Sequence, residues 1–167
     1  MNLVLPCLDY WESYKAVWAD IDREGEVKGM NWDGISSAEE FFQVAKDMHE
    51  GINLGGLVPC SNFWMISDDK YVGRMSIRHE LNDHLREFGG HIGYEVVASE
   101  RRKGHASEGL RLALEFCKNE LNLTDLLLTC SDENIASIKT IEKNGGKLLR
   151  KKPAGEDRIS CYYQIQL

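Results

Sequence analysis

Apolar positions repeat with helical spacing in the first third of the chain and with strand spacing after it. Tyr10, Tyr14, Val17, Trp18 and Ile21 fall near one helical face, which predicts a helix over residues 8 to about 24. Ser36-Ser37-Ala38-Glu39-Glu40 joins a polar cap to early acids and predicts a second helix to about residue 50. A short strand over residues 2–5 precedes both. After a looser, glycine-bearing patch at 50–56, residues 62–67 and 71–79 read as strands joined by a tight turn at Asp68-Asp69-Lys70. Residues 91–97 form the next strand, led in by Gly89-Gly90. From 106 to about 120, Leu110, Ala113, Leu114, Cys117 and Leu121 share a helix face. An apolar strand at 125–130 and a helix at 134–144 follow, the helix stopped by Gly145-Gly146. Strands at 147–150 and 159–167 close the chain.

Mixed helices and strands in this order imply an α/β (α+β) layer architecture with a mostly antiparallel sheet flanked by helices. One parallel strand–helix–strand unit, 91–130, is expected at its centre. The 167 residues suit a single domain, 1–167, and 43% hydrophobic with 28% charged residues is ordinary globular composition. No apolar run approaches a membrane span, and the apolar start Met1–Pro6 lacks the basic and long apolar regions of a signal peptide. Five widely spaced cysteines with no CxxC pair argue against a disulfide framework and against a metal site, and fit reduced thiols in the cytoplasm. A net charge of -7 repels a phosphate backbone, so nucleic-acid binding is not expected; it could favour a cationic substrate, although solubility alone explains it.

The chemistry concentrates in residues 94–106. Tyr94-Glu95-Val96-Val97 ends a strand, a polar turn follows, and a helix opens at Gly104-His105-Ala106. The first amides of a helix lack intrahelical partners and carry the positive end of the dipole, so a diphosphate is well received there. Gly104 permits a close approach, and Arg101, Arg102 and Lys103 add positive charge. Neither GxxxxGK[ST] nor GxGxxG occurs, which excludes a P-loop and leaves a dinucleotide fold unsupported.

Arg101-x-x-Gly104-x-Ala106 resembles the Q/R-x-x-G-x-G/A motif of the GNAT superfamily of acyl-CoA-dependent N-acetyltransferases. The likeness extends in order from about Gly89 to Gly146, through Tyr94-x-Val96, Asn134-Ile135-Ala136-Ser137 and the stop at Asn144-Gly145-Gly146. Residues 77–82 with 90–94 also resemble a subgroup of predicted, uncharacterised members. The resemblance implies a bulged fourth strand splayed from the fifth, with acetyl-CoA as cosubstrate in the slot between them. Pantetheine would pair with the backbone of Glu95, Val96 and Val97. The pyrophosphate would lie on amides of Arg101, Arg102, Lys103, Gly104, His105 and Ala106, with Ser107 nearby, and Asn134 and Ser137 would border the pantetheine arm. Many members carry a tyrosine seven residues after the asparagine, which protonates the departing thiolate; here that position is Ile141. A thiol is acidic enough that water could serve instead, and no tyrosine is expected to replace it. Tyr94 reads as a packing residue whose hydroxyl meets local partners, and Tyr162 and Tyr163 lie on the closing strand.

Catalytic candidates are Glu95, His79 and His91, since an attacking amine must lose a proton. Each has a plainer reading: Glu95 as the partner of a basic neighbour, the histidines, like Glu80, as hydrogen-bonding groups. Cys130 reads as a small buried hydrophobe. Trp11, Trp18, Trp32 and Trp64 read as core or as walls of the acceptor site, which in this family lies between the N-terminal helices and the sheet. The expected activity is acetyl transfer to a primary amine, either a small molecule or a peptide N-terminus, by direct attack in a ternary complex. The helix near 134–143 resembles that of ribosomal-protein N-terminal acetyltransferases, which supports the peptide option. The alternative is a non-catalytic acyl-CoA-binding regulatory module. Monomer and homodimer both stay open.

Overall fold

The computed structural model describes residues 1–24, 37–155 and 158–167, with backbone alone over 18–24. Trp32 and Ser36 lie outside these residues, and Trp18 and Ile21 lie where only backbone is described. The elements run β1 (Asn2–Val4), α1 (Trp11–Glu24), α2 (Ala38–Glu50), β2 (Cys60–Ser67), β3 (Lys70–Arg78), α3 (Asp83–Glu87), β4 (Ile92–Val96), α4 (His105–Asn119), β5 (Asp125–Ser131), α5 (Ile135–Lys143), β6 (Lys147–Pro153) and β7 (Ile159–Gln166). They build two antiparallel sheets, one in the order β1-β2-β3-β4 and one in the order β5-β7-β6. No helix among the described residues is long and apolar enough to cross a membrane.

Local chemistry sets the boundaries. Ser37 Oγ accepts the Glu40 amide at 3.1 Å and caps α2 as expected, and Gly51 in left-handed conformation ends it. Asp68 and Asp69 take φ of 50° and 57°, the left-handed pair that a tight hairpin between β2 and β3 requires and that short polar side chains tolerate. Helix α3 is not among the expected elements because five residues hold no period; its one signal is Asn82, whose Oδ1 caps the Leu85 amide at 2.9 Å. Strand β6 reaches Pro153, beyond the expected residue 150, because it pairs with β7 as an edge strand whose exposed, basic sequence carries no alternation.

The helices cover both faces of the first sheet. On one face α4 buries Leu110, Ala113 and Cys117 against Met65, Met75 and Ile77, and this core continues into Leu126, Leu128 and Tyr163 of the second sheet. Fully burying one such aliphatic side chain contributes about 1.5–3 kcal/mol. A β-carbon at Gly109 would lie 2.6 Å from Met65 Sδ, so the missing side chain lets α4 lie close on the sheet. On the other face α1 and α2 close over an aromatic cluster in which the Tyr14 and Trp64 rings stack at 4.7 Å, joined by Trp11, Phe41, Phe42 and Tyr71.

The fourth and fifth strands splay as expected: among the described residues no parallel ladder is found between β4 and β5, and the sheets meet at one antiparallel bridge, Gly90 with Leu128. There the His91 amide donates to the Leu127 carbonyl at 2.7 Å, and the Leu127 amide donates back to His91 Nδ1, a side-chain atom, at 2.9 Å. The Gly89 amide goes to Thr129 Oγ1 at 3.1 Å. Side chains thus take ladder positions and the strands diverge beyond. Gly90, at φ 64°, is needed because a β-carbon would run into the Leu127 carbonyl. The bulge expected in the fourth strand is also not found: β4 pairs with β3 without a register shift, and the shifts fall between Met65 and Ile66 and between Leu148 and Arg150.

The joint carries a pH signature. Burial holds the pKa of His91 below its ordinary value, and burial followed by the nearby His49 does the same for His79. The unfolded chain therefore binds more protons than the folded one once pH falls below about 6.5. Stability should be full above that pH and decline on acidification through the lowered folded pKa values. Urea titrations from pH 7.5 to 5 should show this, and His91→Asn, which keeps an acceptor for the Leu127 amide, should flatten the decline. An equally steep decline in that variant would contradict the assignment to His91.

Candidate active site

The divergence of β4 from β5 leaves a cavity of about 670 Å³ between β4, the start of α4 and α5. Hydrogen bonding along β4 decides what it offers. The Arg78 amide donates to the His91 carbonyl at 2.8 Å, and the Val97 amide donates to the Val72 carbonyl at 3.0 Å. In an antiparallel pair bonded residues alternate, so the odd-numbered positions of β4 are turned to β3 and Tyr94 and Val96 face the slot. Of the three positions expected to hold pantetheine, only Val96 presents its backbone there. The Glu95 backbone is turned to β3, although the residue lines the cavity, and the Val97 amide is already used. Arg101 Nε donates to the Val96 carbonyl at 3.2 Å, which leaves the Val96 amide as the donor facing the slot.

The mouth of the cavity is the N-terminus of α4. Gly104 caps the helix at φ 91° with no side-chain hydrogen bond, and the first helical bond runs from the Glu108 amide back to the Gly104 carbonyl. The amides of His105, Ala106 and Ser107 precede that bond and have no helical acceptor. A β-carbon at Gly104 would meet nothing within 4 Å, so the space over the turn is open. Arg101, Arg102, Gly104, His105, Ala106 and Ser107 all line the cavity, as expected. Lys103 does not: its ammonium is 2.9 Å from Glu100, a lining carboxylate that also lies 3.4 Å from His105 Nε2. Hydrogen bonding from Lys103 pulls the Glu100 carboxyl below the usual carboxylate range.

Helix α5 forms the opposite wall through Asn134, Ala136, Ser137 and Thr140. Asn134 Oδ1 caps the helix by accepting the Ser137 amide at 3.0 Å, and among the described residues nothing bonds its Nδ2. Asn144 fixes this wall to the first, donating to the Ser107 carbonyl at 3.2 Å and to the Thr140 carbonyl at 2.9 Å. Ile141 is 1% exposed and packs in the core. By helix phase it lies about 40° from Ser137, which lines the slot, but its aliphatic side chain is taken into the core and offers no proton. Tyr94 instead crosses the slot: its hydroxyl donates to the Ser137 carbonyl at 3.4 Å, 43 residues along the chain, which corrects the expectation of local partners. Burial raises its pKa, so the phenol holds its proton at neutral pH. Tyr162 and Tyr163 are buried, their hydroxyls held by the Glu87 carbonyl and by Glu142.

Glu95 stands on the far face of β4. Arg74 binds one of its oxygens twice, Nε at 3.1 Å and Nη2 at 3.0 Å from Oε2; among the described residues nothing bonds Oε1. This pair separates the first cavity from a second, of about 560 Å³, lying over β2, β3 and β4 beneath α2 and α3. Tyr94 lines both. His79 and His91 line neither. His79 Nε2 joins Ser61 Oγ at 2.7 Å, and Ser61 in turn joins His49, tying the end of α2 to the sheet. His91 staples the two sheets. Cys130 lines neither cavity, and burial pushes its thiol up to about 11. Trp11 and Trp64 belong to the aromatic cluster. No metal-binding cluster of His, Cys, Asp or Glu occurs among the described residues.

The comparisons with known proteins agree with this geometry. Residues 9–147 match the family model for the acetyltransferase (GNAT) domain. The chain is 31% identical over 100 residues to the uncharacterised N-acetyltransferase YnaD of Bacillus subtilis, a match spanning 58% of this chain and 56% of that protein, little over half of the relative's length. The fold superposes on the microcin C7 self-immunity acetyltransferase MccE, in complex with acetyl-CoA and AMP, with a TM-score of 0.68 at 17% identity, covering 99% of this chain and 91% of that one. It also superposes on a spermidine N-acetyltransferase SpeG mutant of Vibrio cholerae, with a TM-score of 0.64 at 14% identity and coverage of 99% and 95%. The family motif lies at the start of α4 and the strands part beside it: the chain belongs to the GNAT acetyltransferase family.

Proposed function

We propose that the protein transfers the acetyl group of acetyl-CoA to a primary amine by direct attack in a ternary complex. The observation that carries this reading is the pair of cavities that meet at Tyr94 and at the Glu95–Arg74 pair. The first suits a long ligand ending in phosphates, because uncapped amides of α4 and two lining arginines converge at its mouth. The second suits the acceptor. Acetyl-CoA supplies an activated acyl group on a thiol leaving group. The slot-facing amide of Val96 can hydrogen-bond the carbonyl oxygen and stabilise charge that develops there. Glu95 can receive the amine's proton through Oε1, directly or through a water. Tyr94 can return a proton to the thiolate. Its support is a hydroxyl held across the slot and a protonated phenol. Ser107, Asn134 and Ser137 border the cofactor arm, and the five free thiols fit a reducing, cytoplasmic setting. The regulatory-module reading rests on the absence of a tyrosine at Ile141, and the Tyr94 phenol held across the slot favours catalysis over it.

Acetyl-CoA at ~100 times its dissociation constant should stabilise the protein by about 2.7 kcal/mol, seen as a thermal shift that ATP does not match. Gly104→Val puts a side chain into the open space over the turn and strains a positive φ, so this shift should vanish in a variant that still folds. An equal shift with ATP, or an undiminished shift in Gly104→Val, would contradict the cofactor site.

Tyr94→Phe removes the hydroxyl and leaves the ring. General acid catalysis contributes roughly 10²–10⁴-fold, so kcat should fall by that factor while acetyl-CoA binding persists. A loss under about tenfold would assign the proton to water.

A further inference from the structure

The acceptor cavity has an electrostatic sign that the chain's overall charge does not suggest. Its floor is the outer face of β3, where Arg74, Ser76 and Arg78 follow one another at alternate positions. Arg74 is neutralised by Glu95 at the slot end. Arg78 is not neutralised: among the described residues no carboxylate pairs with it, and its one side-chain hydrogen bond runs from Nη1 to the Gly90 carbonyl at 3.1 Å. Its guanidinium lies close to the backbone of Gly89 and Gly93, where added β-carbons would stand 3.7 and 3.8 Å away. A planar group backed in this way turns its remaining donors to the cavity as a fork suited to carboxylate.

The rest of the lining strengthens this reading. No Asp or Glu among the described residues lines this cavity. Glu87, on the adjacent helix, is bound by Lys152 at 2.8 Å. Asn62, 6% exposed, accepts the Ser76 hydroxyl at 2.8 Å and is held between β2 and β3, so its carbonyl oxygen is already used and does not attract a cation. A polyamine would find no counter-charge at this end. Four residues of strand separate Arg78 from Arg74, about 13 Å between α-carbons.

We propose that the acceptor is an amine carrying an anionic group, a carboxylate, at its far end: the amine meets Glu95 beside the thioester and the carboxylate is held by Arg78. This rests on the transferase reading above and names the acceptor class for the same site. It disfavours polyamines and leaves short peptides with an acidic residue, and ω-amino acids, as the chemistry that fits.

Three length-matched probes test it: ω-aminohexanoate, its neutral amide, and the diamine of the same chain. Initial rates of CoA release with saturating acetyl-CoA should rank the carboxylate first, by at least about tenfold in kcat/KM over the diamine. Arg78→Gln should remove that preference by raising KM for the carboxylate at least about tenfold more than KM for the neutral amide, in a protein that still shows the thermal shift with acetyl-CoA. Arg78→Glu should turn the preference to the diamine. A wild-type preference for the diamine or the amide, or a carboxylate preference that survives in Arg78→Gln, would overturn the proposal. If none of the three is acetylated, the transferase reading is what has failed on these probes, and calorimetry decides the present point. Binding of the carboxylate that is lost in Arg78→Gln would uphold the anion site, and no binding, or binding indifferent to Arg78, would overturn it.

Discussion

The whole site depends on one contact between two strands that almost pair. Gly90 and His91 meet Leu127 and Leu128 through a single bridge, and a histidine nitrogen takes the position that a carbonyl would hold in a ladder. Buried backbone groups must find partners. The joint satisfies them at its closed end, and beyond it the amides and carbonyls of Tyr94 and Val96 face a slot. A continuous ladder would leave no cavity; a looser joint would let the two sheets move independently and lose the shared core around Ile77, Leu110 and Leu128.

From that constraint the division of labour along β4 follows. Its even-numbered positions turn backbone to the slot and its odd-numbered positions turn backbone to β3. Side chains alternate as well, so Tyr94 reaches α5 across the slot while Glu95 reaches Arg74 on the opposite face. One five-residue strand thereby supplies a backbone donor, a phenol and a carboxylate to one junction between two cavities. The close fit of Gly109 on Met65 and the Asn144 clamp hold the start of α4 and the length of α5 at fixed distances from it.

Much of this was legible in sequence because local chemistry dictates it. The Asp68-Asp69 turn, the Ser37 cap, the Gly145-Gly146 stop and the apolar face of α4 each follow from a few neighbouring residues, as does the uncapped turn at Gly104. What could not be read depends on distant pairing. Period-two alternation marked Tyr94 as a core residue, and it does point to the core side, but β5 has left that side open. The count of seven from Asn134 leads to Ile141, an aliphatic side chain that packs into the core, and gives no sign that a phenol reaches the slot from the neighbouring strand instead. His91 carries a ring nitrogen suited to catalysis and spends it on Leu127, a residue 36 positions away. Lys103 sits in the phosphate motif yet turns to Glu100. The charge of the acceptor cavity was hidden because it is set by Arg78 and by which carboxylates are elsewhere engaged, whereas composition reports only the sum.

The central claim is that the backbone of Tyr94 and Val96, opened by the divergence of the two sheets, receives the cofactor together with the first amides of α4. Residue-resolved amide hydrogen exchange with and without acetyl-CoA measures this directly. The account predicts slowed exchange at Tyr94, Val96, His105, Ala106 and Ser107, with β6 and the outer end of β7 unchanged. Unaltered exchange at Tyr94 and Val96 under saturating acetyl-CoA, or protection centred elsewhere, would contradict it.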